Sequence, residues 1–131
     1  MTTIELIHKE LSYRIIGLTY EVFNILGPGH KEKYYQNALE ELLKREKIEF
    51  RKQVYVPLEF NNKIIGKNFI DIIVENKIVI ELKVGNRLTK FHFDQLNHYL
   101  KYTGYQLGIL VLFSTEGVSS RRVLNLYPKH G

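Results

Sequence analysis

The sequence predicts a single α/β domain with the element order helix, helix, hairpin, helix, strand, strand. Three patterns carry this prediction. Apolar residues recur every three or four positions early in the chain, they alternate in the middle, and a nearly unbroken apolar run follows near the end. Because 131 residues can bury a core of their own, we expect residues 1–131 to form one domain.

Two amphipathic helices are predicted first. The first runs from about residue 3 to residue 26, with an apolar stripe of Leu11, Ile15, Leu18, Val22 and Ile25. Gly27-Pro28-Gly29 ends it, since glycine stops helices and proline cannot continue them. The second runs from about Lys31 to Lys47, with Tyr35, Ala38, Leu39, Leu42 and Leu43 facing inward.

The remaining elements follow in order. An alternating strand contains Val54, Val56, Leu58 and Phe60; Asn61-Asn62 then turns the chain into a longer strand. A third helix is predicted from about Lys90 to Tyr102, with Phe93, Leu96 and Leu100 inward and Thr103-Gly104 at its end. The apolar run from Leu107 to Phe113 predicts a strand covered on both faces, and Val123 to Tyr127 a short last strand or helix.

The segment from Asp71 to Lys83 is the most informative. Asp71 alternates with Ile70, Ile72 and Val74, and Glu81 and Lys83 alternate with Ile78, Ile80 and Leu82. Glu75-Asn76-Lys77 predicts a tight turn between these strands. If Val74 pairs with Ile78, the pairing is symmetric about Asn76 and places Asp71 across from Glu81.

Two facing carboxylates repel each other. At a separation of about 4 Å the repulsion between Asp71 and Glu81 is roughly 4 kcal/mol for an effective dielectric constant near 20. A bound cation would remove this cost. Lys83 lies two residues after Glu81 on the same face, where its ammonium group can meet an anionic substrate.

Composition limits the classes of function. Without cysteine the chain cannot form a disulfide, a thiolate zinc site or a cysteine nucleophile. It starts without a signal-like leader and lacks a run of 18 apolar residues, so a cytoplasmic location and no membrane contact are expected. A net charge of +5, from 19 Lys and Arg against 14 Asp and Glu, favours an anionic partner such as nucleic acid.

Four motifs give the chain a family resemblance. Gly29 to Tyr35 has the form G-x-x-E-x-x-Y, Asp71 precedes Glu81-Leu82-Lys83, and Gln95 to Tyr99 has the form Q-x-x-x-Y. In this order and spacing they resemble the GxxExxY proteins of the PD-(D/E)XK nuclease-like superfamily, over about residues 5 to 127. The resemblance implies a restriction-endonuclease-like core, with a mixed central β-sheet flanked by α-helices.

The resemblance also implies residue roles. Asp71 and Glu81 match the metal-binding acidic pair, the backbone carbonyl of Leu82 is a further ligand, and Glu32 approaches the metal directly or through water. Lys83 matches the lysine that assists the attacking water or the phosphate. The substrate-side residues are Gln95, Tyr99 and His92. The chain departs from the family after the fourth strand, where Leu112-Phe113-Ser114 replaces Asn-Phe-Gly.

The oxygen ligands favour Mg²⁺ or Mn²⁺ over zinc, because the five histidines lack a paired ligand spacing. Arg121 and Arg122 form either phosphate contacts or a solvated turn. Other residues also have structural interpretations. Glu32 could stabilise a helix N-terminus. Tyr35 could belong to the core, and Glu81 and Lys83 could lie on an exposed edge strand. Gln95 and Tyr99 could simply cover the sheet.

Three functions follow from these observations. The first is a divalent-metal-dependent nuclease that hydrolyses phosphodiester bonds, with DNA favoured over RNA as the substrate. The second is a nucleic-acid-binding module or partner subunit that keeps the fold with weak or no catalysis. The third is a structural or interaction domain. A homodimer or a protein partner is open in each case, and the complete set of Asp71, Glu81 and Lys83 favours the first.

Overall fold

A computed structural model describes residues 7–125, which form a five-stranded mixed β-sheet covered by helices on both faces. The α-helices are α1 (Lys9–Leu26), α2 (Glu32–Arg45) and α3 (Lys90–Thr103). The strands are β1 (Phe50–Phe60), β2 (Lys63–Val74), β3 (Ile78–Val84), β4 (Leu107–Ser114) and β5 (Gly117–Leu124). This architecture confirms the predicted fold class.

The strands lie side by side in chain order from β1 to β5. Only β3 and β4 are parallel, and α3 forms the crossover between them; the other neighbours are antiparallel. A parallel pair joined through a helix needs cover on both faces. Every residue from Leu107 to Phe113 is buried, which confirms the strand predicted from that apolar run.

Two apolar layers hold the sheet. On one face α1 and α2 pack against it through Ile15, Leu18, Val22, Tyr35, Leu39 and Leu43. On the other face α3 contributes Leu96, Tyr99 and Leu100. Within residues 7–125, no helix is long and apolar enough to cross a membrane.

The start of the first helix differs from the prediction. Residues 3 to 6 lie outside the described part of the chain, and α1 begins at Lys9 because His8 adopts a left-handed backbone with φ of 48°. The other end is as predicted at Leu26, but Ile25 is 71% exposed instead of lying in the apolar stripe. Val22 is the last fully buried residue of α1, and in the final turn Phe23 and Leu26, instead of Ile25, pack against the core.

The hairpin of β1 and β2 is longer than predicted and changes face along its length. Ile72 and Val74 pack in the α1–α2 layer, whereas Ile70 packs in the α3 layer, so the prediction that all three share one face is wrong for Ile70. The change occurs where the pairing of β1 with β2 omits Gln53 and Asp71, and Gln53 has a left-handed φ of 49°. This irregularity rotates the rest of the hairpin.

Beyond it, residues 54–70 form a two-stranded ribbon, because β3 pairs with β2 only from Ile72 to Val74. Large exposed apolar side chains are numerous here, namely Tyr55, Leu58, Phe60, Ile64, Ile65 and Phe69. Leu58 and Phe60 were predicted to alternate with polar residues in a strand, and both are solvent-exposed. The predicted turn at Asn61-Asn62 is confirmed, since both residues have positive φ and lie between the strands.

The last strand is also longer than predicted. β5 begins at Gly117 and includes Arg121 and Arg122, so the interpretation of these arginines as a turn is wrong. A tight turn brings the chain back after β4, in which the Ser114 hydroxyl donates to the carbonyl of Gly117. Leu126 and Tyr127, the end of the predicted last element, lie outside the described residues.

Candidate active site

The site is located where β2 separates from β3. The two strands pair with the predicted register, symmetric about Asn76, but the pairing ends at Ile72 and Ile80. One position further, side chains replace the sheet hydrogen bonds. The amide of Asp71 donates to Oε1 of Glu81 at 3.2 Å, and the amide of Leu82 donates to Oδ2 of Asp71 at 2.8 Å.

Asp71 and Glu81 are buried, with 8% and 3% of their surfaces exposed. Burial is the main cause that raises the pKa of Asp71, which the bond from Leu82 and the charge of Lys83 oppose. Burial raises the pKa of Glu81 well above its ordinary value, and the neighbouring charge of Asp71 raises it further. The pair therefore favours a proton or a cation between its members, as expected from the sequence.

Lys83 lies beside this pair. Its ammonium nitrogen is 4.0 Å from Oε2 of Glu81 and donates to the side-chain carbonyl of Gln95 at 3.2 Å. β3 is a central strand between β2 and β4, which excludes the interpretation of Glu81 and Lys83 as an exposed edge. Gln95 on α3 thus holds the lysine near the carboxylates.

Glu32 occupies the first turn of α2, on the other side of the site. It is partly buried, and burial raises the pKa of its carboxyl group, with a further increase from Asp71. In residues 7–125, no three acidic, histidine or cysteine side chains converge to hold a metal ion. Asp71 and Glu81 each have one carboxylate oxygen turned to a backbone amide.

Even so, the donors suit a hard divalent cation. Mg²⁺ commonly uses one or two carboxylates, keeps several waters and takes its other ligands from substrate phosphates. Asp71 and Glu81 provide two adjacent, buried carboxyl groups whose charges require compensation. The residues therefore fit such an ion without a complete cage of protein ligands.

Two predicted substrate-side residues have structural contacts as well. Tyr99 is buried in the α3 layer; burial, followed by the charges of Glu81 and Asp71, raises the pKa of its hydroxyl. His92 accepts a hydrogen bond from the amide of Thr89 through Nδ1 and so caps α3. His92 precedes Gln95 by three positions on α3 and so shares its helical face, and burial, followed by the charge of Lys83, lowers the pKa of His92.

The tyrosine of the G-x-x-E-x-x-Y segment belongs to the core. Tyr35 stacks on Phe113 with ring centroids 4.2 Å apart, and its hydroxyl donates to the carbonyl of Gly27 at 2.7 Å. It therefore anchors the loop between α1 and α2, which leads directly into Glu32 at the start of the second helix. Phe113, at the departure from the family pattern, supplies the other half of this stack.

The two arginines of β5 have different environments. Arg122 donates to the backbone carbonyl of Ile7, which gives it a structural contact instead of a free phosphate-binding group. Arg121 is exposed and pairs across the sheet with Leu110, which in turn pairs with Glu81. Arg121 alone thus lies exposed in the same row of the sheet as the candidate site.

Sequence reasoning missed a polar group behind Asp71. Gln36 and Glu40, both buried on α2, bond to each other, and Gln36 also contacts Gln53 and the backbone of Asp71. A polar residue four positions after Glu32, on the same helical face, is the signal that could have indicated Gln36. Nothing in the sequence indicated that Gln53 would meet it.

Comparison with known proteins identifies relatives of this fold. A family model described as PD-(D/E)XK nuclease superfamily matches residues 9–123. The solved structure titled "Crystal structure of SSO0001" superposes with a TM-score of 0.56 and 23% identity, covering 90% of this chain. At that identity the likeness shows the fold alone, and this chain spans 60% of the length of that protein. No curated protein matches the chain.

Proposed function

Since the chain belongs to the PD-(D/E)XK nuclease superfamily, we propose that it is a divalent-metal-dependent nuclease that hydrolyses phosphodiester bonds. The observation that carries this proposal is the pair of Asp71 and Glu81, buried side by side where β2 and β3 separate, with Lys83 next to it. A buried acidic pair with raised pKa values and a lysine is typical of a catalytic site.

We assign the metal to Asp71 and Glu81, with Glu32 and the backbone carbonyl of Leu82 as further ligands, and we expect Mg²⁺ or Mn²⁺. When bound, such an ion makes a coordinated water more acidic and offsets charge on the phosphate. Because burial and the charge of Asp71 raise the pKa of Glu81, a metal ion competes with a proton for this carboxyl group. Metal binding is therefore expected to release a proton.

Lys83 and Gln95 act on the substrate in this proposal. The ammonium group of Lys83 stabilises the charge that grows on the phosphate, and Gln95 fixes its direction through the 3.2 Å hydrogen bond. Tyr99 and His92 on α3 and the exposed Arg121, which lies in the same row of the sheet as Glu81, are proposed substrate contacts. The proposed substrate is nucleic acid, with DNA preferred to RNA, and the GxxExxY resemblance is consistent with the same chemistry.

One observation favours a second candidate, a nucleic-acid-binding module without catalysis. No three metal-binding side chains converge within residues 7–125, and a weak metal site would give slow turnover or none. The two candidates share the same fold and binding face. They differ in whether phosphodiester bonds are broken when Mn²⁺ is added.

The test is cleavage of single-stranded, double-stranded and branched DNA and RNA by purified protein with Mn²⁺ or Mg²⁺. We expect cleavage by the wild type, and a loss of at least roughly tenfold in Lys83→Ala, which corresponds to about 1.4 kcal/mol of barrier. The control is Lys101→Ala, an exposed lysine near the far end of α3, which should cleave normally. Binding without cleavage by the wild type would favour the second candidate.

A further inference from the structure

The side chain of Gln36 makes three hydrogen bonds within the protein. Its Nε2 donates to the backbone carbonyl of Asp71 at 3.2 Å and to Oε2 of Glu40 at 3.0 Å. Its Oε1 accepts from Nε2 of Gln53 at 3.3 Å. A carbonyl and a carboxylate can only accept, so both hydrogens of the Gln36 amide are used and its orientation is fixed.

The carbonyl of Asp71 needs this donor because the sheet is interrupted there. The pairing of β1 with β2 includes Lys52 with Ile72 and Val54 with Ile70, but not Gln53 with Asp71. Gln53 has a left-handed backbone, which costs energy for a residue other than glycine. Its side-chain Nε2 donates to Oε1 of Gln36. A side-chain link from α2 thus replaces the missing sheet bond.

The rest of the group holds Gln36 in place. Glu40 is 5% exposed and lies 3.5 Å from the ammonium nitrogen of Lys52, the residue that precedes Gln53. The four side chains Lys52, Glu40, Gln36 and Gln53 therefore connect the interruption in β1, and the residue before it, to the backbone of Asp71.

We propose that Gln36 and Gln53 are positioning residues that set the location of the Asp71 carboxylate. The inference rests on the proposed function in one respect, namely that this carboxylate serves to hold a divalent ion. Gln36 holds the backbone carbonyl of Asp71. The position of the Asp71 carboxylate can be followed at Leu82, because the amide of Leu82 donates to Oδ2 of Asp71. Residues that orient a metal ligand in this way typically change metal affinity by 10- to 100-fold.

Two variants test the proposal. Gln36→Met keeps an unbranched side chain of similar length but removes both donors. Gln53→Gly accepts the left-handed backbone without strain and removes only the side-chain bond. The control is Asn125→Leu, which also removes two donor bonds of a buried side chain, to the carbonyls of Leu100 and Tyr105 at the C-terminal end of α3.

The first readout, amide hydrogen exchange, needs no metal. Exchange at Leu82 reports the Asp71 carboxylate, and exchange at Val111 in the centre of the sheet reports global opening. We expect Gln36→Met and Gln53→Gly to increase the amide exchange rate of Leu82 more than that of Val111. The control should not change the ratio of the two rates. A parallel rise of both rates in the variants would show a purely structural role and would overturn the proposal.

The second readout is Mn²⁺ affinity by calorimetry, for which we expect a weakening of roughly 10- to 100-fold in both variants and none in Asn125→Leu. Equal affinity in wild type and variants would overturn the positioning role and leave the proposed function intact. If the wild type binds no Mn²⁺ but Leu82 exchange rises selectively, the proposed function fails, and the positioning of Asp71 by Gln36 and Gln53 is supported.

Discussion

The centre of the sheet and the outer ribbon of residues 54–70 differ in the regularity of their strand pairing and in their burial. β3 and β4 pair regularly over seven positions and are almost entirely buried. The ribbon pairs only with itself beyond Ile70, changes face at its base, contains a second irregularity at Leu58, and exposes six large apolar residues. The candidate carboxylates lie at the junction, where regular pairing ends. The candidate site therefore lies where side chains take the place of hydrogen bonds between strands.

The largest expected effect contrasts the stability of the two regions. Ile109→Ala in the centre removes a fully buried side chain and should lower the free energy of unfolding by roughly 2–5 kcal/mol. Ile65→Ala in the ribbon, where the side chain is 62% exposed, should change it by less than about 0.5 kcal/mol. Urea unfolding of both variants measures this. Similar losses would show that the ribbon is an integral part of the core.

The acidic pair at the junction, Asp71 and Glu81, should lower the free energy of unfolding of the metal-free protein. At neutral pH the buried Glu81 must either repel Asp71 or take up a proton, and both are unfavourable. Glu81→Gln removes this cost while keeping the shape, so the metal-free variant should be more stable than the wild type, by roughly 0.5–2 kcal/mol. Glu59→Gln, an exposed carboxylate in the ribbon, is the control and should have no effect. A destabilised Glu81→Gln would mean that the ionised carboxylate is needed for folding.

The pH dependence of the metal-free protein sharpens the same point. Folding raises the pKa values of Asp71 and Glu81. At pH values above the ordinary pKa values of these groups, the native state therefore binds more protons than the unfolded state. The contribution of these groups to stability is therefore greatest below about pH 4 and is lost as pH rises through the raised pKa values. Thermal unfolding at a series of pH values should show a flatter profile for Glu81→Gln. Identical profiles would exclude an unusual protonation of Glu81.

The smallest expected effect concerns the edge of the sheet opposite the ribbon. If exposed Arg121 contacts a phosphate, Arg121→Ala should reduce the slope of log affinity against log salt by about 1 for any oligonucleotide that binds. Lys101→Ala serves as the matched loss of one charge away from the site and should leave the slope nearly unchanged. Equal salt slopes for the two variants would show that Arg121 does not contact the nucleic acid.

The elements and the acidic pair were accessible to sequence reasoning because each depends on local pattern. Helical spacing gave α2 and α3, the apolar run gave β4, and the short turn at Asn76 fixed the register that brings Asp71 near Glu81. The change of face at Gln53 was not accessible, since glutamine is not a residue that predicts a left-handed backbone. The same is true of the bond from Gln36 to Asp71, which spans 35 residues and depends on how α2 docks.

The different roles of Arg121 and Arg122 were also not predicted from the sequence. Adjacent arginines near the end of a sheet suit phosphate contacts, but alternation along β5 sends neighbouring side chains to opposite faces. Arg122 meets the carbonyl of Ile7, at the start of the described chain, and Arg121 is exposed. A strand prediction that began at Gly117 would have separated their roles.

The most direct test of the account is calorimetric titration of Mn²⁺ into the wild type and Asp71→Asn, in buffers of different ionisation enthalpy. We expect the wild type to bind with proton release, because Glu81 is protonated more readily than an ordinary glutamate. Asp71→Asn should lose most of the affinity, and Glu59→Gln should keep it. Equal Mn²⁺ binding by the wild type and Asp71→Asn would contradict the assignment of this junction as the metal centre.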